Sequence, residues 1–311
     1  MSVLLDWDVS SGDWQDYSLH VRRFPLLQSF DYGQAIEEFY GHTIRYASIL
    51  NNEKKVIGLC RMQEVGALNN LLHAVMCDRG ATWLEGHHSE ENFEYFARAL
   101  AKEFPRRIGR RRRFIPEHTD EYDMLKQHSW RKVGNGYDTI WVDLTQGEDD
   151  LRSGLKKNWR GSLKKFEKSN VTIEWDETGQ TLPWLLKHYQ IDKAQRGYDG
   201  ASPKFLRVLG RIFAANNTIL IGRAMQSESC IGSIMILKHA TSATYQIGWT
   251  PDEGRRQCAH HGLLWAAMLN LKTGGIQDFD LGGLNDESAS GVGKFKRGMG
   301  GEIVQLSGIY S

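Results

Sequence analysis

Two lysines flank a phenylalanine in the glycine-rich run GVGKFKRGMGGE, residues 291–302 of this 311-residue chain. Such a run can cradle phosphate with its backbone amides or lie as a solvated surface loop. It can also bring the backbone close enough to a reacting group for one ammonium to meet developing negative charge. The GxxxxGK[ST] spacing of a phosphate loop is absent, which leaves the surface loop and the reactive lysine. Other chemistry-bearing residues are less promising. His87-His88 and His260-His261 are adjacent pairs, and helix neighbours one apart do not face one ligand, so no metal site is expected. Cys60, Cys77, Cys230 and Cys258 lack CxxC spacing and read as ordinary thiols. Cys258 stands near His260 and His261, but a lone cysteine at a helix start is usually inert. GxSxG and HExxH do not occur.

Two basic segments stand out in a chain whose net charge is only +1. FPRRIGRRRRF carries Arg110, Arg111, Arg112 and Arg113, and LKKNWRGSLKKFEK carries Lys156, Lys157, Arg160 and Lys164. Local surfaces of this kind attract phosphate-rich partners by counterion release, although a charge run can equally be a solvated face.

The elements that must position these residues follow from periodicity. With 41% hydrophobic and 25% charged residues the chain is an ordered globular protein, and its length suggests two domains. No window is apolar enough for a membrane span and the N-terminus lacks a signal-peptide pattern, so a cytoplasmic location is expected. TIRYASILNNEKKVIGLCRMQEV (43–65) and TILIGRAMQSESCIGSIMILKHA (218–240) share one hairpin layout, with Ile57-Gly58 and Ile231-Gly232 in the same place. After each comes a third strand, an amphipathic helix (89–104, capped by Ser89; about 259–272) and a short strand, RRFIP or IQDFDLGG. The order strand, strand, strand, helix, strand occurring twice predicts a duplicated α/β unit. Between the copies, YDTIWVDL (137–144) reads as a strand. Leu151, Leu155, Trp159, Leu163 and Phe166 then form the apolar stripe of a basic helix, and the boundary is placed between residues 1–146 and 147–311.

This order, with a glycine opening the fourth strand, resembles the N-acetyltransferase (GNAT) fold. The tandem pair resembles the FemABX family of aminoacyl-tRNA-dependent transferases over nearly the whole chain from Pro25. FPLLQSFDYGQA is similar to the opening segment of that family, DTIWVDLTQGEDDLRSGLKKNWRGSLKKFEKSNVTIE to its strand, acidic turn and basic helix, and GIQDFDLGGLND with GVGKFKRGMGGE to its aspartate-rich strand and Phe-Lys segment. Met299 stands where the family usually has an aromatic residue. The resemblance implies a mixed-sheet α/β fold of two GNAT-like domains, the second carrying the Phe-Lys loop. It implies an acyltransferase that moves an aminoacyl group from aminoacyl-tRNA to an amine, with a peptidoglycan precursor as the acceptor in well-known relatives. It assigns Phe295 and Lys296 to the transferred acyl group, Arg196, Tyr198 and Tyr245 to the acceptor, Glu117 to accepting a proton from the attacking amine, and the two basic segments to the tRNA backbone. No cofactor beyond the charged tRNA is implied.

Two alternatives stay open. An acyl-CoA-dependent N-acyltransferase on the same fold normally shows Gln/Arg-x-x-Gly-x-Gly/Ala before its central helix, where amides receive the pyrophosphate; here that place reads DEGRRQCAHHGLL. A non-catalytic RNA- or precursor-binding module would not need Lys296. Neither the amino acid, the acceptor nor the oligomeric state follows from the sequence.

Overall fold

A computed structural model describes residues 2–117, 125, 128–284 and 290–311. The chain forms two compact units, residues 1–138 with 304–311, and 139–303.

In the first unit β1 (Leu4–Asp6), β2 (Thr43–Leu50), β3 (Val56–Ala67) and β4 (Leu72–Asp78) run antiparallel in sequence order. The short β5 (Thr82–Trp83) also pairs with β3. Helices α1 (Ser11–Ser18) and α2 (Phe30–Tyr40) lie between β1 and β2. Helix α3 (Glu90–Glu103) follows β5, and β6 (Arg110–Ile115) joins β4 in parallel. Ser89 caps α3 by accepting from the Asn92 amide, as its position predicted. Phe93, Phe96, Ala97 and Leu100, at helical spacing, are buried in a core shared with Ile49, Ile57 and Phe114. A residue with no Cβ partner to clash is needed where strand meets strand end: a Cβ at Gly58 would lie 2.7 Å from the Thr82 carbonyl oxygen.

The second unit repeats the plan. Helices α4 (Glu148–Gly154) and α5 (Lys157–Glu167) precede β9 (Val171–Asp176), and α6 (Leu182–Arg196) and α7 (Pro203–Ala215) follow it. Strands β9, β10 (Ile219–Gln226), β11 (Ser229–His239) and β12 (Ser242–Trp249) are antiparallel. After α8 (Asp252–Arg256) and α9 (Ala259–Thr273), β13 (Asp278–Asp280) joins β12 in parallel. Leu263, Leu264, Ala267, Met268 and Leu271 of α9 are buried against Ile234 and Ile236 of β11. The predicted order strand, strand, strand, helix, strand is therefore present in both units, including the parallel step after the helix, with the short β5 added in the first.

The division falls eight residues before the expected boundary, between Asp138 and Thr139 rather than after 146. The reason is pairing. Strand β8 (Asp138–Asp143) runs antiparallel to β13, with Phe279 opposite Val142, and so belongs to the second sheet, where β14 (Glu302–Gln305) flanks it. Conversely, the C-terminal β15 (Ile309–Tyr310) lies between β6 and β7 (Lys132–Gly134) and returns the last residues to the first sheet.

The apolar stripe 151–166 is also not one helix. Leu151, Leu155, Trp159, Leu163 and Phe166 are all buried, but the chain turns extended at Leu155 and Lys156 between α4 and α5. There the Lys156 amide donates to the Gly298 carbonyl at 2.9 Å. Gly300, at φ +80°, approaches so closely that a Cβ would sit 2.2 Å from the Gly154 oxygen. Part of the glycine content of the 291–302 run thus serves this backbone contact. The run itself is not a loop. Residues Ser290–Arg297 form helix α10, while Asn285 and Asp286 of the preceding motif lie outside the described residues.

Candidate active site

The second sheet opens beside β12. Its parallel ladder with β13 covers only Ser242–Thr244 against Asp278–Asp280, and the pairing with β11 skips Gln246, since Ile236 faces Tyr245 and Met235 faces Ile247. A bulge of this kind re-aims the side chains around it. Tyr245 therefore stands where the two strands cease to pair, and Lys296 reaches the same place from α10.

The Lys296 side chain is buried, with 7% of the residue exposed. Its Nζ donates to the Gly283 carbonyl oxygen at 2.9 Å and lies 5.7 Å from the centroid of the Tyr245 ring. The Gly282 turn, at φ +72°, leaves only 3.7 Å between a would-be Cβ and Nζ. Burial pushes the Lys296 amine down from 10.5 to about 8, partly offset by Asp280, so roughly nine-tenths remains protonated at pH 7. Asp280 is itself fully buried and accepts from the Gly282 amide at 2.8 Å and from the Thr139 hydroxyl. The result is a fixed cation in a low-dielectric recess, where charge acts more strongly than in water.

Phe295, the other half of the pair, packs among Trp159 (6.0 Å between centroids), His260 (5.5 Å) and His261 (4.9 Å). The two lysines part company because two residues on a helix differ by about 200°: Lys294 is exposed and Lys296 buried. Met299, in place of the usual aromatic, fills the core at 1% exposure.

Of the expected acceptor residues, Tyr245 lies beside Lys296, and Tyr198 packs on Tyr189 with ring centroids 6.2 Å apart. Burial raises the Tyr245 hydroxyl pKa, with Tyr198 and Tyr189 adding to the rise. Arg196 ends α6 with its Nε on Asp192 Oδ1 at 2.6 Å, and the Tyr198 hydroxyl donates to Asp192 Oδ2 at 3.3 Å.

Other expected site residues have different surroundings. Glu117 lies in the first unit, held by Arg79 through both carboxylate oxygens, with Arg79 Nε at 2.6 Å. Arg79 is 3% exposed. Glu117 is thus engaged in a charge-assisted bidentate pair with Arg79. The arginine run is a strand, and alternation sends its members different ways. Arg112 is buried; it donates to the Phe104 and Ser129 carbonyls at 3.2 and 2.8 Å and packs on Trp130. It cannot reach a nucleic acid. Arg110 donates to His73 and the Pro105 carbonyl, Arg113 pairs with Asp78, and Arg111 is exposed. In the other segment Arg160 ties down the α4–α5 turn through the Ser153 and Leu155 carbonyls, both at 2.5 Å, while Lys156, Lys157 and Lys164 are exposed. Replacing Arg112 with glutamine is expected to lower stability by about 2 kcal/mol in chemical denaturation, because two buried carbonyls lose their donor. It should leave nucleic-acid affinity as it was.

Sequence reasoning missed His260. As half of an adjacent histidine pair it carries no metal-ligand signal, yet it lies in the first turn of α9, which follows β12 after the short α8, and its ring packs back against the end of that strand. Its Nε2 is 3.0 Å from the Tyr245 hydroxyl and its Nδ1 2.8 Å from Thr250 Oγ1. Burial pushes its pKa down to about 3, with His261, Lys296 and Arg255 adding to the fall, so the ring is neutral at pH 7. Among the described residues no group of three His, Cys, Asp or Glu is placed to hold a metal.

Several amides around the start of α9 are engaged within the chain. Arg255, Gln257 and Cys258 donate to Pro251, Glu253 and Arg255 carbonyls, and His261 and Gly262 to that of Cys258. Gly254 packs so tightly that a Cβ would lie 1.7 Å from the Ile231 oxygen.

A family model of the acetyltransferase (GNAT) domain matches residues 153–297. A comparison with curated proteins finds no sequence match. Among solved structures the chain is similar to FemX, with 12% identity, a TM-score of 0.81, and 100% of this chain and 96% of that one covered. It is also similar to a conserved protein of unknown function from Bacteroides thetaiotaomicron (10% identity, TM-score 0.64, 99% and 98% covered). A third likeness is to a tandem GNAT protein from the clavulanic acid biosynthesis pathway (10% identity, TM-score 0.50, 99% and 97% covered). The fold is thus a tandem pair of GNAT-like domains laid out as in FemX, and the site described above lies in the second, within the acetyltransferase-domain match. Among the described residues no helix is long and apolar enough to cross a membrane.

Proposed function

We propose that this protein is an acyltransferase whose donor is an aminoacyl-tRNA and whose acceptor is an amine-bearing molecule with a phosphate or carboxylate, a peptidoglycan precursor being the acceptor that the FemABX resemblance suggests. The observation that carries the reading is the buried Lys296 ammonium at the open end of β12, beside Tyr245 and Phe295. In the reaction the acceptor nitrogen attacks the ester carbonyl, the C–N bond forms, and negative charge grows on the carbonyl oxygen. The C–O bond to the ribose then breaks, and the proton lost by the amine ends on the ribose hydroxyl. A preorganised cation at the oxygen contributes a few kcal/mol, about what one oxyanion-hole donor is worth. Phe295 shapes the wall against which the acyl group rests. A cytoplasmic location accompanies this reading, because charged tRNA is made there.

Two features support a tRNA donor over acyl-CoA. The Gln/Arg-x-x-Gly-x-Gly/Ala spacing that receives a CoA pyrophosphate is absent before α9, and the Gln257, Cys258, His261 and Gly262 amides there already bond within the chain. Lys156 and Lys157 stand exposed at the N-terminus of α5, where the helix dipole disfavours cations, an arrangement that an anionic partner would compensate. The acyl-CoA reading is favoured by the acetyltransferase-domain match. Purified protein incubated with charged tRNA pools and, separately, with acyl-CoAs distinguishes them by mass spectrometry: the tRNA is expected to lose its amino acid to the amine. Transfer from acyl-CoA alone would replace this proposal, and transfer from neither donor would favour a binding module.

Arg196 is exposed enough to meet the acceptor, and a planar fork matches phosphate or carboxylate in a way that lysine does not. Arg196→Lys is therefore expected to raise the acceptor Michaelis constant about tenfold with turnover within twofold, as removal of uniform binding does. An unchanged constant would take Arg196 out of the acceptor site.

A further inference from the structure

Beyond the residues that meet substrate, we infer that His260 is a positioning residue for Lys296, acting through the Tyr245 ring. The inference rests on the proposed acyl transfer for its kinetic consequences, but its geometry stands by itself. The imidazole is gripped at both nitrogens, Nε2 by the Tyr245 hydroxyl at 3.0 Å and Nδ1 by Thr250 Oγ1 at 2.8 Å. A neutral imidazole has one N–H and one lone pair, so these two contacts use it completely and hold it in one orientation. Phe295 meets the ring edge-to-face at 5.5 Å. The hydroxyl end of Tyr245 is thereby fixed, and the face of the same ring lies 5.7 Å from Lys296 Nζ, within the range of a cation–π contact. A line of contacts, Thr250, His260, Tyr245, Lys296, runs from the end of β12 to the ammonium.

The backbone is shaped around this pair. At Gly248 a Cβ would lie 2.3 Å from the Tyr245 hydroxyl oxygen and 2.5 Å from His260 Cε1. The pair sits flush on the strand, and only a residue without a side chain leaves room for it. A ring that merely filled space would not need both nitrogens engaged or a glycine beneath it. Catalysis by a fixed charge depends on the charge being in place before the oxyanion forms, so a loosened Tyr245 is expected to cost turnover and not binding.

The test is a double-mutant cycle on amide formation. His260→Leu is expected to lower kcat at least tenfold with donor and acceptor Michaelis constants within about twofold. His260→Gln, whose amide reaches the Nε2 position, should recover most of the loss. In a Tyr245→Phe background, His260→Leu should cost less than a further twofold, because its effect passes through the missing hydroxyl. Multiplying losses, or a glutamine variant no better than leucine, would overturn the proposal. Should His260→Leu fail to fold, Gly248→Ala displaces the same pair and is expected to give the same loss of kcat; normal turnover in that variant would also overturn it. Histidine-ring 15N NMR of the full chain reads the contacts without any donor. The His260 Nε2 resonance should move on Tyr245→Phe and Nδ1 on Thr250→Val. Unmoved resonances would refute the geometry, whereas moved resonances in a protein that transfers from no donor would uphold the contacts and indict the proposed reaction.

Discussion

Lys296→Met is expected to lower kcat for amide formation at least a hundredfold while donor affinity changes less than about threefold. The ammonium meets negative charge only as the oxyanion develops, so its loss falls on the transition state. Lys294→Met is the control: two residues away, on the exposed side of α10, it should retain near-normal turnover. Lys296→Met is also expected to raise stability. Burial holds the Lys296 amine at about 8 against 10.5 when solvated, so between those pH values the unfolded chain binds more protons and stability rises with pH. Below pH 8 the cost of the buried charge is fully present, at most about 3 to 4 kcal/mol. Methionine removes it but leaves the Gly283 carbonyl without its donor, so a gain of about 1 to 2 kcal/mol is expected at pH 7, fading above pH 10. The wild-type rate should fall as pH rises through 8, where the cation is lost. Denaturant titrations and a pH profile of kcat check these points. A Lys296→Met protein with full activity on an identified donor and acceptor would end the case for this lysine.

Replacing Lys156, Lys157 and Lys164 together by glutamine is expected to weaken tRNA binding about tenfold to a hundredfold at low salt. The three are exposed along α5. If each meets one phosphate, the slope of log affinity against log salt should flatten by about 0.9 per lysine, nearly 3 in all. Arg160→Gln differs, because that guanidinium is spent on the Ser153 and Leu155 carbonyls; it should disturb stability of the α4–α5 turn more than the salt slope. Filter binding or fluorescence anisotropy across a salt series reads both. If the triple variant keeps the wild-type affinity and slope, the tRNA does not lie on this helix.

Much of this protein was legible in its sequence because the signals were local. Ser89 caps α3, Phe93 to Leu100 make its buried face, and the hairpins with Gly58 and Gly232 repeat in both sheets. These depend on hydrophobic period and turn chemistry, which neighbouring residues settle among themselves. The Phe-Lys pair drew attention through its resemblance to a family motif, also a short string of neighbouring residues. What only the tertiary structure decided concerns partners distant in the chain. Strand β8 joined the second sheet because β13, more than 130 residues on, offers it a ladder. The stripe 151–166 broke because Gly298 and Gly300 press on its middle. The four consecutive arginines read in the sequence as one basic surface, and nothing local told that Trp130 and two carbonyls would claim Arg112 while Asp78 took Arg113. Glu117 had the right residue type for a base, but that Arg79, nearly forty residues earlier, would pair with it was not legible. His260 became visible only when the turn after β12 folded its ring onto Tyr245. A residue's type states what it can donate or accept; which partner it meets, and how much water remains between them, is settled by packing.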